Sequence, residues 1–330
     1  MRSIRRGAYA RLSSPEALWH AYLAVRSGKR RGPVMADFEL NADRSVLILA
    51  HELATGSYRP RPWQLRLVHD SKPRLIAAPA VRDRIVHRAL LDEIGPHFER
   101  RFIHRHFTRG PGTGVHQAVL AFLADNRRWG WRMHLDIRHY FPSVSHQRLE
   151  ALLFPQIRDR RVRWLIRRVL ESGERVYRSA LARKTLAPSL LPRPPRTGLP
   201  LGSWFSQWAG AYYLDGLDHY VTRQLKPGGY LRYMDDFVLF AEQAAVLEDA
   251  RGAIRQWLAE HRGLTLNPKH WQIEPASTPA VFLGYRISSS GLGPSRRLRR
   301  RMRERIRNAA GRGPAALRQT LVSYRGMLRF

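Results

Sequence analysis

The stretch YLRYMDDFVLFAE (residues 230–242) constrains this chain more than any other. Two short apolar runs are broken by Met234-Asp235-Asp236, the pattern of a β-hairpin with acidic residues at its tip. Adjacent carboxylates in a sheet turn repel one another, so the pair is unfavourable unless a cation is held there. Two solvated aspartates in a turn are the plain alternative. A third carboxylate, Asp136, ends the otherwise apolar and aromatic strand in RMHLDIRHYF (132–141), where an unpaired charge is costly. Three aspartates converging on one sheet edge would hold two Mg²⁺ ions through oxygen ligands, with Mn²⁺ as a substitute. Two such metals ~3.5–4 Å apart activate an attacking hydroxyl and stabilise a leaving pyrophosphate.

The charge balance supplies a partner for such a site. Among 330 residues there are 58 Lys+Arg against 26 Asp+Glu, a formal charge of +32. At 44% hydrophobic and 10% aromatic the composition is that of a folded chain long enough for two or three domains. A folded protein this basic meets a polyanion, because each Lys or Arg near a phosphate releases condensed counterions. An anionic membrane surface is the competing partner, but the basic residues are spread along the chain and not gathered on one amphipathic helix. No cysteine is present, which excludes disulfides, thiolate zinc sites, iron–sulfur clusters and cysteine nucleophiles. No apolar run approaches the ~18 residues of a membrane span. The opening MRSIRRGAYARLSSPE is basic without a signal peptide's apolar middle, so a cytoplasmic location is expected.

Along the chain, no repeat of solenoid period is visible. SSPEALWHAYLAVRSG has a Ser N-cap and Pro15, and SVLILAHELATGSY ends near Gly56, so the first 60 residues read as helical. Residues 63–81 predict a hairpin turning at Ser71–Pro73, followed by a helix from Val81. VHQAVLAFLADNRRWG, HQRLEALLF and VRWLIRRVLESG read as helices, and residues 186–200, with five prolines, as a loop. SWFSQWAGAYYLDGLDHYVTRQL (203–225) predicts one long helix. VLEDARGAIRQWLAEHRG is a further helix, and LTLNPKHWQIEPASTPAVFLGYRIS supplies strands. Residues 286–330 hold thirteen arginines and one acid, Glu304; there Leu298, Met302 and Ile306 recur at helical spacing. A solvated polybasic tail is the alternative for that end. The order of elements implies an α+β core, not a doubly wound parallel sheet.

Taken together, these blocks resemble reverse transcriptases. Tyr233-Met234-Asp235-Asp236 looks like the YxDD box, and Asp136 in LDIRHYFPSV like the first catalytic aspartate. Seven blocks come in the family's order over roughly residues 60–290: KPRLIAAPAVRDRIVHRAL, FIHRHFTRGPGTGVHQAV, LDIRHYF, LPLGSWFSQ, YMDD, LNPKHW and FLGY. The resemblance implies a right-hand polymerase fold. Its parts would be a helical extension (1–60), fingers (61–131), a palm with an antiparallel sheet (132–285, with a fingers-associated insertion at about 145–198) and a short basic helical thumb (286–330). It implies RNA-directed DNA synthesis from dNTPs on an RNA template, with an RNA/DNA hybrid as product. Asp136, Asp235 and Asp236 would be metal ligands, joined by the carbonyl of Ile137. Phe141 would be the steric gate against the ribose 2′-hydroxyl; a core aromatic is its alternative. Lys72 and Arg74 would contact the incoming triphosphate and Arg109 the template. Lys269 would protonate the leaving pyrophosphate, or be a surface lysine. Phe282, Leu283, Gly284 and Tyr285 would form the primer grip. No block of acidic residues follows it, so no RNase H domain is expected.

One departure narrows the resemblance. Many reverse transcriptases carry Gln after Leu-Pro, whereas here Leu199-Pro200 is followed by Leu201-Gly202. Leu201, with the Ser206-Gln207 ending and the closing LVSYRGMLRF, resembles the enzymes of diversity-generating retroelements, relatives of group II intron and retron-type reverse transcriptases. That subgroup copies its template with errors at adenines and works with a small basic helical-bundle accessory protein. Leu201 and Gln207 would lie at the dNTP site, where an aliphatic Leu201 in place of an amide lowers base discrimination; packing beneath the motif is the alternative for Leu201. A bacterial antiphage-defence reverse transcriptase with a noncoding RNA is the second reading, and an inactive RNA-binding scaffold the third.

Overall fold

The computed structural model describes residues 3–27, 33–69, 73–108, 112–186, 190–288 and 291–328. Lys72 and Arg109, expected at the triphosphate and the template, lie outside these residues. Helices dominate, with nine strands among the described residues, all paired antiparallel within their sheets. The α+β class is therefore as the sequence implied. The chain divides into two compact units, each built from several segments.

The first unit comprises Met1–Phe102, Arg138–Gly216 and Leu258–Leu264. Four helices, Ala8–Leu12, Pro15–Ser27, Pro33–Glu39 and Ala42–Thr55, precede the hairpin of β1 (Gln64–His69) and β2 (Pro73–Ala78). The helix Val81–Glu99 is its spine, burying Ile85, Val86, Leu90, Ile94 and Phe98 completely. Phe98 meets Trp208 and Tyr212 at 5.6 and 4.8 Å, edge-on, while those two rings stack at 5.9 Å one turn apart on the helix Trp204–Tyr213. Ser14 caps the second helix by accepting from the Ala17 N–H (3.1 Å), and Gly56 ends the fourth with φ 74°, as their sequence signals predicted.

The single helix expected over 203–225 is instead three pieces: Trp204–Tyr213, Asp215–Tyr220 and a π-helical turn Val221–Leu225. Asp215 opens the second piece 3.6 Å from Arg101, and Asp218 on the same piece is wholly buried against an arginine. Neither Leu214 nor Val221–Leu225, where the helix changes, contains a Gly or Pro that would announce the change in the sequence.

The second unit comprises Ile103–Ile137, Leu217–Trp257 and Thr265–Phe330. Its four-stranded sheet runs β4 (Gly229–Tyr233), β5 (Asp236–Ala241), β3 (Trp131–Asp136), β6 (Ile273–Pro275). In β5, Phe237, Val238, Leu239 and Phe240 are all fully buried, so the sheet is covered on both faces. The helix Val115–Arg128 supplies one cover, with Phe122 edge-on to Phe240 (5.3 Å) and stacked on Phe282 (5.1 Å). A second sheet joins β7 (Ala280–Phe282), β8 (Tyr285–Ser288) and β9 (Gly291–Pro294). Helices Arg296–Ala310 and Pro314–Leu328 pack on one another; Leu298 is buried, Met302 and Ile306 are half-buried, and the eight arginines between 296 and 307 are exposed. Among the described residues no helix is long and apolar enough to cross a membrane.

Candidate functional site

The strand register brings two of the three aspartates face to face. Asp136, the last residue of β3, is the cross-strand partner of Asp236, the first of β5. Tyr233 also pairs with Asp236, so the β4–β5 loop is only two residues, Met234 and Asp235. A two-residue hairpin loop that follows the sheet's twist needs positive φ at its first position, and Met234 has φ 58°. A non-glycine side chain there costs about 1–3 kcal/mol, and such strain persists only where surroundings enforce it. The Met234 N–H donates to Thr108 Oγ1 (2.7 Å), and its carbonyl accepts from Arg232 Nη1 (2.9 Å).

Asp136 is held from the other side by the LNPKHW segment. The Asn267 side-chain amide donates to Asp136 Oδ2 (2.8 Å), and the Asn267 backbone N–H to the Asp136 carbonyl (2.8 Å). Ile137 forms an antiparallel bridge to Leu266. Burial lifts the Asp136 carboxyl above the ordinary carboxylate range; the Asn267 hydrogen bond opposes this, and the charge of Asp236 adds to it. His134 reaches Asp236 Oδ1 at 3.3 Å through Nε2.

This donor set fits a hard divalent cation. Like charges directly opposite across a ladder destabilise it, and the charge of Asp236 adds to the larger effect of burial in raising the Asp136 carboxyl. Among the described residues no three His, Cys, Asp or Glu side chains close on one point as a complete metal cage. Mg²⁺ does not need one, because it is usually bound by one or two carboxylates and completes its shell with water and substrate phosphates.

Other expected site residues fall around this centre or in the first unit. Lys269 is exposed, and its N–H donates to Asn267 Oδ1 (3.2 Å). In FLGY, Leu283 (φ 48°) and Gly284 (φ 91°) form the two-residue β7–β8 turn. Phe282 and Tyr285 are 1% exposed, and the Tyr285 hydroxyl donates to the Met327 carbonyl (2.7 Å), so both rings belong to the core, while the turn between them is half-buried, with Leu283 packed against that core.

In the first unit, Phe141 is 8% exposed, on the short helix Tyr140–Ser143. Its ring packs edge-on to Tyr140 (5.3 Å), and a Cβ added to Gly210 would sit 3.4 Å from it. Leu201 is half-exposed, while its carbonyl accepts from the Ala77 N–H on β2 (2.7 Å). Gly202 follows with φ 117°, and a Cβ there would lie 2.5 Å from the Ala77 carbonyl oxygen, so only glycine lets the loop dock on β2. Gln207 is exposed on the helix Trp204–Tyr213, and Arg74 is exposed on β2 opposite Val68.

Asn267, Thr108, His134 and the pair Asp218–Arg232 were not singled out from the sequence. Asn267 lies inside a motif that was recognised, which is a usable signal. Nothing local marks the others, whose partners are 102 or more residues away for His134 and Thr108.

Comparison with known proteins follows the same lines. The family model described as "Reverse transcriptase (RNA-dependent DNA polymerase)" matches residues 68–287. Protein YkfC of Escherichia coli (strain K12) is 28% identical over 312 residues, 84% of this chain and 80% of that protein. An uncharacterized 91 kDa protein in a cob intron of Schizosaccharomyces pombe is 28% identical over 153 residues, 46% of this chain and 17% of that one. Among solved structures, telomerase from Candida albicans, in complex with a fragment of telomeric RNA, has a TM-score of 0.48 at 11% identity, covering 72% of this chain and 46% of that one. Apo telomerase from Candida tropicalis, truncated from its C-terminal domain, also scores 0.48, at 9% identity over 74% of this chain and 59% of that one. The chain thus spans about half the length of these telomerase chains.

Proposed function

Because this chain belongs to the reverse transcriptase (RNA-dependent DNA polymerase) family, we propose that it extends a 3′-hydroxyl along an RNA template from dNTPs, with Asp136, Asp235 and Asp236 as its catalytic carboxylates. The observation that carries this is the register Asp136↔Asp236 beside a two-residue Met234–Asp235 loop, which gathers acidic side chains where stability alone would disperse them. These aspartates, with the Ile137 carbonyl, would hold two Mg²⁺ ions, which when bound supply Lewis-acid activation of the attacking hydroxyl and charge neutralisation at the leaving pyrophosphate. Asn267 keeps the Asp136 carboxylate oriented by donating to it. In this reading Phe141 bars the ribose 2′-hydroxyl, Arg74 and Lys72 meet the triphosphate, Arg109 the template, Lys269 the pyrophosphate, and the Leu283–Gly284 turn the primer. The exposed arginines of Arg296–Ala310 track the template–primer backbone as a thumb, after fingers (61–131) and palm (132–285). RNA and the RNA/DNA hybrid are the macromolecular partners.

Within that activity we place the protein with the error-prone enzymes of diversity-generating retroelements, together with a small basic accessory protein. Support comes from Leu201, which presents only half-exposed apolar bulk where an amide would read the nascent pair. The test is to supply purified protein with Mg²⁺, four dNTPs and a primed RNA template containing every base, and to sequence the cDNA, with Asp235→Ala as the blank. Errors concentrated opposite adenines support both levels of the reading. Accurate or evenly erroneous cDNA keeps the polymerase and favours the antiphage-defence alternative. RNA binding without cDNA, with or without an accessory protein, favours the inactive scaffold.

A further inference from the structure

Beneath the Met234–Asp235 loop lies an ion pair from which water is wholly excluded. Arg232 and Asp218 have 0% side-chain exposure, and the guanidinium grips the carboxylate in a fork, Nε to Oδ1 and Nη2 to Oδ2, both at 2.6 Å. The Tyr230 hydroxyl adds a donor to Oδ1 (2.7 Å). Buried pairs of this kind contribute little to stability compared with apolar residues of the same volume, because both charges must be stripped of water. What the pair does have is a direct line to the loop.

With two guanidinium nitrogens committed to Asp218, Nη1 donates to the carbonyl of Met234 (2.9 Å). The backbone of Arg232 organises the opposite side. Its N–H donates to the Arg105 carbonyl (3.0 Å), and its carbonyl accepts from the Phe107 N–H (2.9 Å). The segment 105–107 therefore runs along β4 and delivers Thr108, whose hydroxyl accepts from the Met234 N–H. Both peptide groups flanking the Met234 α-carbon are thus fixed through Arg232, and Met234 is the residue held at positive φ. Asp235 and Asp236 follow immediately in the chain.

We propose that Asp218–Arg232 is a positioning pair that imposes the left-handed conformation of Met234 and so sets the aim of the Asp235 and Asp236 carboxylates toward their metal ions. Arginine is required because the role needs a rigid fork plus a third donor; a lysine ammonium can satisfy Asp218 or the Met234 carbonyl but not both in this geometry. The inference rests on the polymerase reading above and assigns residues that do not touch substrate or metal.

Two variants test it. Arg232→Lys keeps the charge and removes the fork. Thr108→Val removes only the acceptor for the Met234 N–H and leaves the ion pair intact, so it serves if Arg232→Lys fails to fold. For each, Mn²⁺ binding is titrated by electron paramagnetic resonance, and kcat and KM for dNTP are measured on primed RNA, with thermal unfolding as the control for folding. The expected result is a Mn²⁺ Kd raised about tenfold or more and a kcat lowered about 10–100-fold, as for other residues that orient metal ligands, with KM for dNTP little changed. Variants that melt lower but bind Mn²⁺ and turn over per folded molecule like the parent overturn the inference and leave the polymerase reading standing. A parent protein that neither binds Mn²⁺ in an Asp235-dependent way nor makes cDNA overturns both.

Discussion

At the residue scale, several side chains sit where stability would not place them. Asp136 opposite Asp236 is one such case. Asp136→Asn removes the like-charge opposition while keeping the shape and the hydrogen bond to Asn267, so the metal-free protein should become about 0.2–1 kcal/mol more stable while cDNA synthesis falls to the blank. Calorimetry beside a primer-extension assay checks both; a lower Tm would mean that the carboxylate contributes to the fold. His87 is another. It lies buried on the helix Val81–Glu99 between the rings of Trp63 and Phe205, with Nδ1 3.2 Å from Ser203 Oγ. Burial lowers its pKa from 6.5 to about 3. Between those values the unfolded chain binds the proton and the folded one does not. The neutral imidazole's contribution is therefore complete above about pH 6.5 and is lost as pH falls toward 3, by up to about 1.4 kcal/mol per pH unit. His87→Met should flatten the acid limb of a stability–pH curve relative to the parent, and an unchanged slope would refute the assignment. Gly202→Ala, whose Cβ would lie 2.5 Å from the Ala77 carbonyl at φ 117°, should cost about 1–3 kcal/mol and unseat Leu201 from β2; chemical denaturation reads the loss.

At the element scale, caps and turn chemistry define where helices and hairpins stop. The helix Arg160–Tyr177 begins at Asp159, whose carboxylate accepts from the N–H of Arg161 (3.0 Å) and also from that of Tyr9 (3.0 Å), 150 residues away. Asp159→Ala should cost about 1–2 kcal/mol, at the upper end of the range for caps, because a second, buried N–H loses its acceptor. Equal stability in a urea titration would show that water replaces both bonds. The strands β3, β4, β5 and β8 were legible in advance because their apolar runs end in turn residues. The break in the helix expected over 203–225 was not, since neither Leu214 nor Val221–Leu225, where the helix changes, carries the Gly or Pro that marks such a point in a sequence.

At the scale of the whole molecule, the formal charge of +32 is carried at the surface, since among the described residues the buried arginines Arg132, Arg232 and Arg262 are outnumbered by six buried acids. On Arg296–Ala310 the arginines are exposed while Leu298 and Ala309 are buried, so this helix folds on its apolar stripe and leaves its charge for a polyanion. Replacing Arg299, Arg303 and Arg307 by Gln should weaken RNA binding and make the slope of log K against log salt less steep by roughly 0.7–0.9 for each phosphate no longer neutralised. Fluorescence anisotropy across a salt series measures this; an unchanged slope would place the RNA elsewhere.

The sequence by itself determined the α+β class, the hairpin at Met234 and the family, and it singled out Asp136, Asp235 and Asp236 as the carboxylates on which the proposed chemistry rests. Each depends on residue type and short-range pattern, which a linear chain displays directly. Only the tertiary structure decided that Asp136 and Asp236 are register partners, that Phe282 and Tyr285 are core and not surface, that Asn267 orients Asp136, and that Asp218 and Arg232 lie under the loop. The physical reason is that burial, register and ion pairing are properties of contacts between distant segments. A buried arginine and an exposed one are the same letter until the fold removes the water.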